Sequence, residues 1–247
     1  MIQIGNIGSG FSHAPSSTLY KVPKYFQWIY GKELDVTFFV DNAIREGITS
    51  RCPKKYFWQV ESQDLFPGVA LYIRENAALV SENCELLFTH SRELSQLAHN
   101  FVYLPPHTTW IENPTIHPKT KLVSFLTSNK NWLPGHRVRL ELLERFGKYC
   151  DVYGRGYKEV EKVEEALCDY MFSFCIENNQ NYYSEKVLNV ICTGGIPVYL
   201  GDRAAICEKF NPDGFIFLDE NFDISLLTNE FYQSRLSAVK ENLGIAT

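Results

Sequence analysis

The sequence predicts an α/β protein made of two Rossmann-like domains with parallel sheets, and three observations carry that expectation. Short apolar runs suited to covered parallel strands alternate with stretches at helical spacing, the pattern of βαβ units. That alternation stops once and then restarts. Between the two runs lies PPHTTWIENPTIHPK (105–119), where Pro105, Pro106, Pro114 and Pro118 and the lack of an apolar period mark a linker. The expected domains are therefore 1–118 and 119–247. A chain of 247 residues with 45% hydrophobic content can bury a core in each.

In the first domain, IQIGNI (2–7) reads as a strand, followed by a turn at Gly8-Ser9-Gly10-Phe11. The glycines there follow a GxxGxG pattern, which departs from the GxGxxG dinucleotide fingerprint and disfavours a nicotinamide site. An aromatic-rich helix is expected over 19–30, interrupted by Pro23. Strands follow at 35–40 (DVTFFV) and 55–60 (KYFWQV), the latter ending at Glu61-Ser62. Then come a helix over 69–80, a strand at 85–89, a short helix over 91–98 and a strand at 101–104. The second domain reads as strands at 121–127, 150–153, 172–176, 196–200 and 215–218. Helices are expected between them over 136–147, 159–169, 184–193 and 203–209, with a terminal helical segment over 224–243.

Charge and composition exclude several classes. The formal net charge of −5 offers no basic surface for nucleic acid or anionic lipid, so any phosphate site must be local. No stretch approaches a membrane span, and MIQIGNIGSGF lacks the layout of a signal peptide, so the reading is cytoplasmic, at most peripheral at a membrane. Seven cysteines without a CxxC pair read as free thiols. Six histidines without HxH or HExxH spacing, and the absence of a DxD triplet, give no metal site.

The most informative stretch is MFSFCIENNQNYYSEKVLNVICTGGIPVYLGD (171–202). Two buried strands flank a helix that Ser184 caps and Gly194-Gly195 stops. Asn178, Gln180, Tyr182, Ser184, Glu185 and Lys186 crowd the carboxyl edge of the first strand, facing the free N–H groups of the helix. Lys186 beside that helix end suits a phosphate or diphosphate, and Glu185 suits sugar hydroxyls. A capped surface helix with a solvated Glu–Lys pair fits the same composition. Strand-end groups are the candidates for a ligand crevice: Glu177 and Asn178, Ser128 and Asn129, Gly154 and Arg155, and Glu61 in the first domain. Arg137 and Arg139 open the helix after the Ser128 loop. Two residues apart on a helix they diverge by about 200°, so they cannot both reach one phosphate unless the first stands at the helix entry. Trp110 and Trp132 sit in polar neighbourhoods suited to stacking on a sugar face, while Trp58 reads as core.

FCIENNQNYYSEKVLNVICTGGIPVYLGD resembles the donor-binding signature of the α-1,3-fucosyltransferases (glycosyltransferase family 10), a strand ending in Phe-Glu-Asn, then Tyr-x-Thr-Glu-Lys, a helix and a Val/Ile-Pro-Val strand. His136-Arg137-Val138-Arg139 and Asp151-Val152-Tyr153-Gly154-Arg155 extend the likeness over roughly 121–220. Here Ser184 stands for the usual Thr and Ile176 for the usual aromatic. The resemblance implies a GT-B-like fold with two Rossmann-like domains facing a cleft, and an inverting transfer of fucose from GDP-fucose to an oligosaccharide hydroxyl. It implies Arg137 and Lys186 on the diphosphate, Glu185 and Tyr182 on the ribose or nearby groups, and Asn178 on sugar or phosphate, with Ser184 at the helix cap. Arg139, Arg155 and Asn129 are secondary donor-binding candidates. Glu61-Ser62 resembles the family's Glu-Ser-Pro after a first-domain strand, with Gln63 in place of proline, and implies Glu61 as the catalytic base. Cationic side chains then stabilise the leaving nucleotide, so no cofactor is required and a divalent ion at most stimulates. The missing anchor and missing Asn-x-Ser/Thr sequons favour a bacterial or viral type. Two other readings use the same pocket: the same fold with another nucleotide sugar, and a non-catalytic nucleotide-sugar or glycan-binding protein.

Overall fold

The computed structural model describes residues 1–8, 23–105 and 108–247. The chain divides into two compact units, Met1–Pro106 and His107–Thr247.

The first unit is a six-stranded parallel sheet with the order β2-β1-β3-β4-β5-β6. Its strands are β1 (Ile2–Ile7), β2 (Phe26–Tyr30), β3 (Val36–Val40), β4 (Lys54–Gln59), β5 (Leu86–Thr89) and β6 (Phe101–Tyr103). Its helices are α1 (Ile44–Thr49), entered through a 3₁₀ turn at Asp41–Ala43, α2 (Pro67–Glu75), α3 (Ala77–Glu82) and α4 (Arg92–Ser95). Alternation of side chains along the strands separates two faces. Phe39, Phe57 and Leu87 pack with Ile44, Ile73, Val80 and Leu94 of the helices, while Trp28, Phe38 and Trp58 gather on the opposite face in edge-to-face contacts.

The second unit is a five-stranded parallel sheet ordered β11-β10-β9-β7-β8. Its elements are β7 (Lys121–Leu126), α5 (Pro134–Phe146), β8 (Asp151–Tyr153), β9 (Tyr170–Ile176), α6 (Glu185–Cys192), β10 (Ile196–Leu200), α7 (Arg203–Lys209), β11 (Ile216–Phe217), α8 (Asn229–Ser234) and α9 (Leu236–Ala246). Every residue of β9 is buried, as its unbroken apolar run demands of a central strand covered on both faces. Tyr170, Cys175 and Tyr199 pack towards α6 and α7, and Phe172, Phe174 and Val198 towards Phe146, Phe222 and Tyr232.

Four expectations differ from what is observed. Within the expected helix over 19–30, residues 19–22 lie outside the described residues, as do residues 9–11 of the expected glycine turn. Residues 26–30 form β2, because Phe26, Trp28 and Tyr30 alternate and pair in parallel register with β1. The expected helix over 69–80 is two helices broken at Asn76. The expected helix over 159–169 shrinks to a 3₁₀ turn at Val163–Ala166, and α1 has no counterpart in the sequence reading. Lastly, the sequence divides the chain at 118/119 but the compact units divide at 106/107. The proline-rich stretch is bonded to the second unit: Thr115 N–H donates to the Cys192 carbonyl (2.9 Å) and His117 N–H to that of Thr193 (3.3 Å).

Among the described residues no helix is long and apolar enough to cross a membrane. None of them form a group of three or more side chains able to hold a metal ion, and all seven cysteines are free thiols.

Candidate functional site

Chain direction in the second sheet reverses between β7 and β9. From β7 the chain steps outward to β8, then returns past β7 to β9 and winds the other way. A parallel α/β sheet opens a crevice at the carboxyl ends of two strands related in this way. That is where the polar residues of the 177–186 segment stand.

The site is built on a buried carboxylate. Glu177 follows β9 directly and is 4% exposed. Its Oε1 accepts the backbone N–H of Ser184 (2.8 Å), and the Ser184 hydroxyl donates to the same carboxylate (2.9 Å to Oε2). Ser184 caps α6, its Oγ accepting from the N–H of Lys186. The Lys186 ammonium then reaches back over the cap, donating to Ser184 Oγ (2.9 Å) and Glu185 Oε1 (3.3 Å) and lying 3.6 Å from Glu177 Oε2. Burial alone lowers Lys186, but Glu185 and Glu177 outweigh it and hold the ammonium above the usual lysine range. Burial pushes Glu177 above the usual carboxylate range, opposed by Lys186 and by the Ser184 hydrogen bonds. The result is a fixed cation at the first turn of a helix whose N–H groups add to its field.

A second cation comes from α5. Arg139 is 9% exposed; its Nε donates to the Ile176 carbonyl (2.8 Å) and its Nη2 to Asn178 Oδ1 (2.6 Å). The start of α5 lies directly against the loop it serves. A Cβ on Gly135 would stand 2.4 Å from Asn178 Cα and 2.7 Å from the Glu177 carbonyl oxygen, so only glycine allows this approach. His136 stacks on Trp132, and burial, then Arg139, Lys130 and Lys186, lower it, which favours the neutral ring. On the β8 side, Gly154 takes φ +107 where a Cβ would meet the Thr127 carbonyl, and this seats the 154–156 loop against the end of β7.

The two cations border a cavity of about 200 Å³ within the second unit. Arg139, Glu185, Lys186, Thr127 and Ser128 line its polar part, and Trp110, Val163, Leu167 and Val190 its apolar part. Trp110 is held there by Asn189, a buried residue of α6 whose Oδ1 accepts both the Trp110 N–H (2.7 Å) and the Thr109 hydroxyl (2.9 Å). The buried Thr127 hydroxyl has no hydrogen-bond partner among the described residues.

The structure therefore brings together Asn178, Ser184, Glu185, Lys186 and Arg139. Arg137 is exposed and its Nε donates to the Asn131 carbonyl (3.3 Å), so of the two arginines it is Arg139 that turns inward. Asn129 and Arg155 are exposed and joined through backbone, Asn129 N–H to the Arg155 carbonyl (3.1 Å), and neither lines the cavity. Tyr182 is half-buried and its carbonyl accepts the Asp202 N–H (3.3 Å). Glu61 lies in the first unit, half-buried, just past β4. Sequence reasoning placed Glu177 at the strand end without giving it a role, and missed Thr127 and Asn189. Asn189 did carry a signal, an amide amid the apolar residues Leu188, Val190 and Ile191.

Fold and site together define an α/β protein of two parallel sheets with a crevice at a switch point of the second, into which Arg139 and Lys186 turn. Its fold matches a crystal structure of an alpha1,3-fucosyltransferase with a TM-score of 0.55 at 14% identity, covering 98% of this chain and 81% of that one, which makes the fold GT-B-like. Residues 116–233 match the model of glycosyltransferase family 10 (fucosyltransferase), C-terminal region. The chain is 27% identical over 144 residues to a 4-galactosyl-N-acetylglucosaminide 3-alpha-L-fucosyltransferase 9 of Cricetulus griseus, covering 55% of this chain and 38% of that protein. It is 28% identical over 141 residues to the alpha-(1,3)-fucosyltransferase FucT of Helicobacter pylori, covering 53% and 28%. The stretch matched by the family model, 116–233, holds every residue lining the cavity but Trp110, and there the chain resembles the α-1,3-fucosyltransferases. The matched region spans less than two fifths of the length of either curated relative.

Proposed function

We propose that the protein is an inverting glycosyltransferase that moves fucose from GDP-fucose to a hydroxyl of an oligosaccharide. The observation that carries this reading is the paired cation site, Lys186 held over the α6 cap by Glu177 and Ser184, and Arg139 held by Asn178, within the family-matched segment. Two fixed positive charges at a helix N-terminus neutralise a diphosphate. As the glycosidic bond breaks and charge develops on the departing nucleotide, they stabilise it where it forms. Glu185 is placed to accept from ribose hydroxyls, and the apolar side of the cavity under Trp110 suits a nucleobase, with Thr127 as a free polar contact. Arg137 remains a candidate for the outer phosphate, and Tyr182, Asn129 and Arg155 for the periphery of the donor. The acceptor hydroxyl must lose a proton as it attacks, and Glu61 is the proposed base. With lysine and arginine in the leaving-group role the reaction needs no divalent ion, and transfer should persist in a chelator. The compartment proposed is the cytoplasm.

Calorimetry against GDP-fucose, GDP-mannose, UDP-galactose and NAD, followed by transfer to a panel of galactosyl and N-acetylglucosaminyl acceptors, tests the reading. Binding should be confined to the guanosine donors and strongest for GDP-fucose. Glu61→Gln should bind GDP-fucose as tightly as the parent chain but lose 10²–10⁴-fold in turnover. Preference for UDP-galactose would move the assignment to another nucleotide sugar. GDP binding with no transfer to any acceptor would make the protein a binder.

A further inference from the structure

The first sheet also has a switch point, between β1 and β3, because β2 lies outside β1 and the remaining strands build the other way. Asp41 is the residue that follows β3 there. It is the one non-glycine residue among those described with a positive φ (+49), in the left-handed region that an L-residue enters only at a steric cost. It is 1% exposed. One carboxylate oxygen, Oδ1, accepts two successive backbone N–H groups, from Val60 (2.8 Å) and Glu61 (3.2 Å). The other, Oδ2, is buried and has no hydrogen-bond partner among the described residues.

Both of those N–H groups lie beyond the end of β4 at Gln59, where the sheet ladder no longer holds the backbone. The Glu61 carbonyl is gripped as well, with the Nε2 of buried His90, just past β5, 2.9 Å from it. One residue is therefore held at its N–H from β3 and at its C=O from beyond β5. Asp41 is an expensive choice for this task. Burial pushes its carboxyl up to about 6, against the pull of the two backbone hydrogen bonds, and the Glu61 charge pushes it further the same way. A strained, buried acid that uses half of its acceptor capacity is the kind of local conflict that persists where position matters.

We infer that Asp41 is a positioning residue: by fixing the Val60–Glu61 backbone from the neighbouring strand it holds the Glu61 carboxylate in one place for proton transfer. This rests on Glu61 being the base. Neither donor binding nor the crevice of the second unit uses Asp41.

The test uses full-length Asp41→Ala, Asp41→Asn and Asp41→Glu, with GDP-fucose turnover on an accepted glycan and calorimetry with GDP. Asp41→Ala removes the shared acceptor and should lower kcat about 10- to 100-fold, the cost of a base displaced by roughly an ångström, with donor KM and GDP affinity unchanged. Asp41→Asn keeps an oxygen for both N–H groups and should recover most of kcat. Asp41→Glu keeps the charge but displaces the acceptor by a methylene, and should resemble Ala. That contrast between Asn and Glu stands even if the Ala variant fails to fold. Wild-type kcat in Asp41→Ala, a rise in donor KM in place of a fall in kcat, or Glu outperforming Asn would each overturn the inference. Glu61→Gln separates it from its premise. If that variant turns over normally the base assignment falls, and if it is inactive while Asp41→Ala is normal, only the positioning role falls.

Discussion

Replacing Lys186 by Met removes the charge that organises the crevice while keeping an unbranched stem on the first turn of α6. A full charge about 4 Å from a phosphate oxygen is worth about 4 kcal/mol at the effective dielectric of a protein surface. The Lys186 side chain is 36% exposed, and that exposure and the cost of stripping water from both ions reduce the net to about 2–3 kcal/mol. GDP affinity should therefore fall roughly 30- to 150-fold, read by titration calorimetry. The same substitution strands Glu177, whose side chain is fully buried and keeps only the Ser184 hydrogen bonds. Folding stability should drop by about 1–3 kcal/mol. A carboxyl raised by burial contributes stability that is present at low pH and lost as pH rises through its folded value. The deficit of the variant should therefore shrink as the solution is acidified and Glu177 takes up a proton. Unchanged GDP affinity in a folded Lys186→Met protein would refute the electrostatic account of the site.

Two further outcomes follow from the geometry. Asn189→Ala removes the acceptor shared by Thr109 and Trp110, so melting should show a loss of about 1–3 kcal/mol and GDP titration a several-fold weaker affinity as the Trp110 wall loosens. Asp41, raised from 3.8 to about 6, contributes stability that is present below about pH 4 and lost as pH rises through 6, up to about 3 kcal/mol. Denaturant unfolding of the parent and Asp41→Asn at pH 4.5 and 7 should show that component in the parent alone.

The second sheet was legible because its strands are nearly pure apolar runs, and β9, α6 and β10 fall where the residues 171–202 place them. Where the reading failed, tertiary contacts had overridden local preference. EVEKVEEALCD is rich in helix formers, yet between β8 and β9 it settles into a single 3₁₀ turn, with Glu165 accepting the N–H groups of Glu161 and Lys162 and with Ala166 and Leu167 turned into the core. Phe26 to Tyr30 shows the opposite case: its aromatic alternation was a strand signal that a helix assignment ignored. The two arginines could not be ranked by spacing alone. What ranks them is the buried stripe of α5, in which Gly135, His136, Arg139 and Phe146 share one face, so the arginine on that stripe is the one facing Asn178. Asp41 was invisible because a left-handed aspartate leaves no pattern in a sequence.

The bonding of the proline-rich stretch sets where the polypeptide can be cut. A fragment starting at residue 119 would discard Thr109, Trp110, Thr115 and His117, and with them a flank of the crevice and the donors that satisfy Asn189 and the carbonyls of buried Cys192 and Thr193 at the end of α6. Anyone dissecting the second unit for crystallisation or titration should begin it near residue 107, since a later start yields a sheet with one wall of its crevice missing.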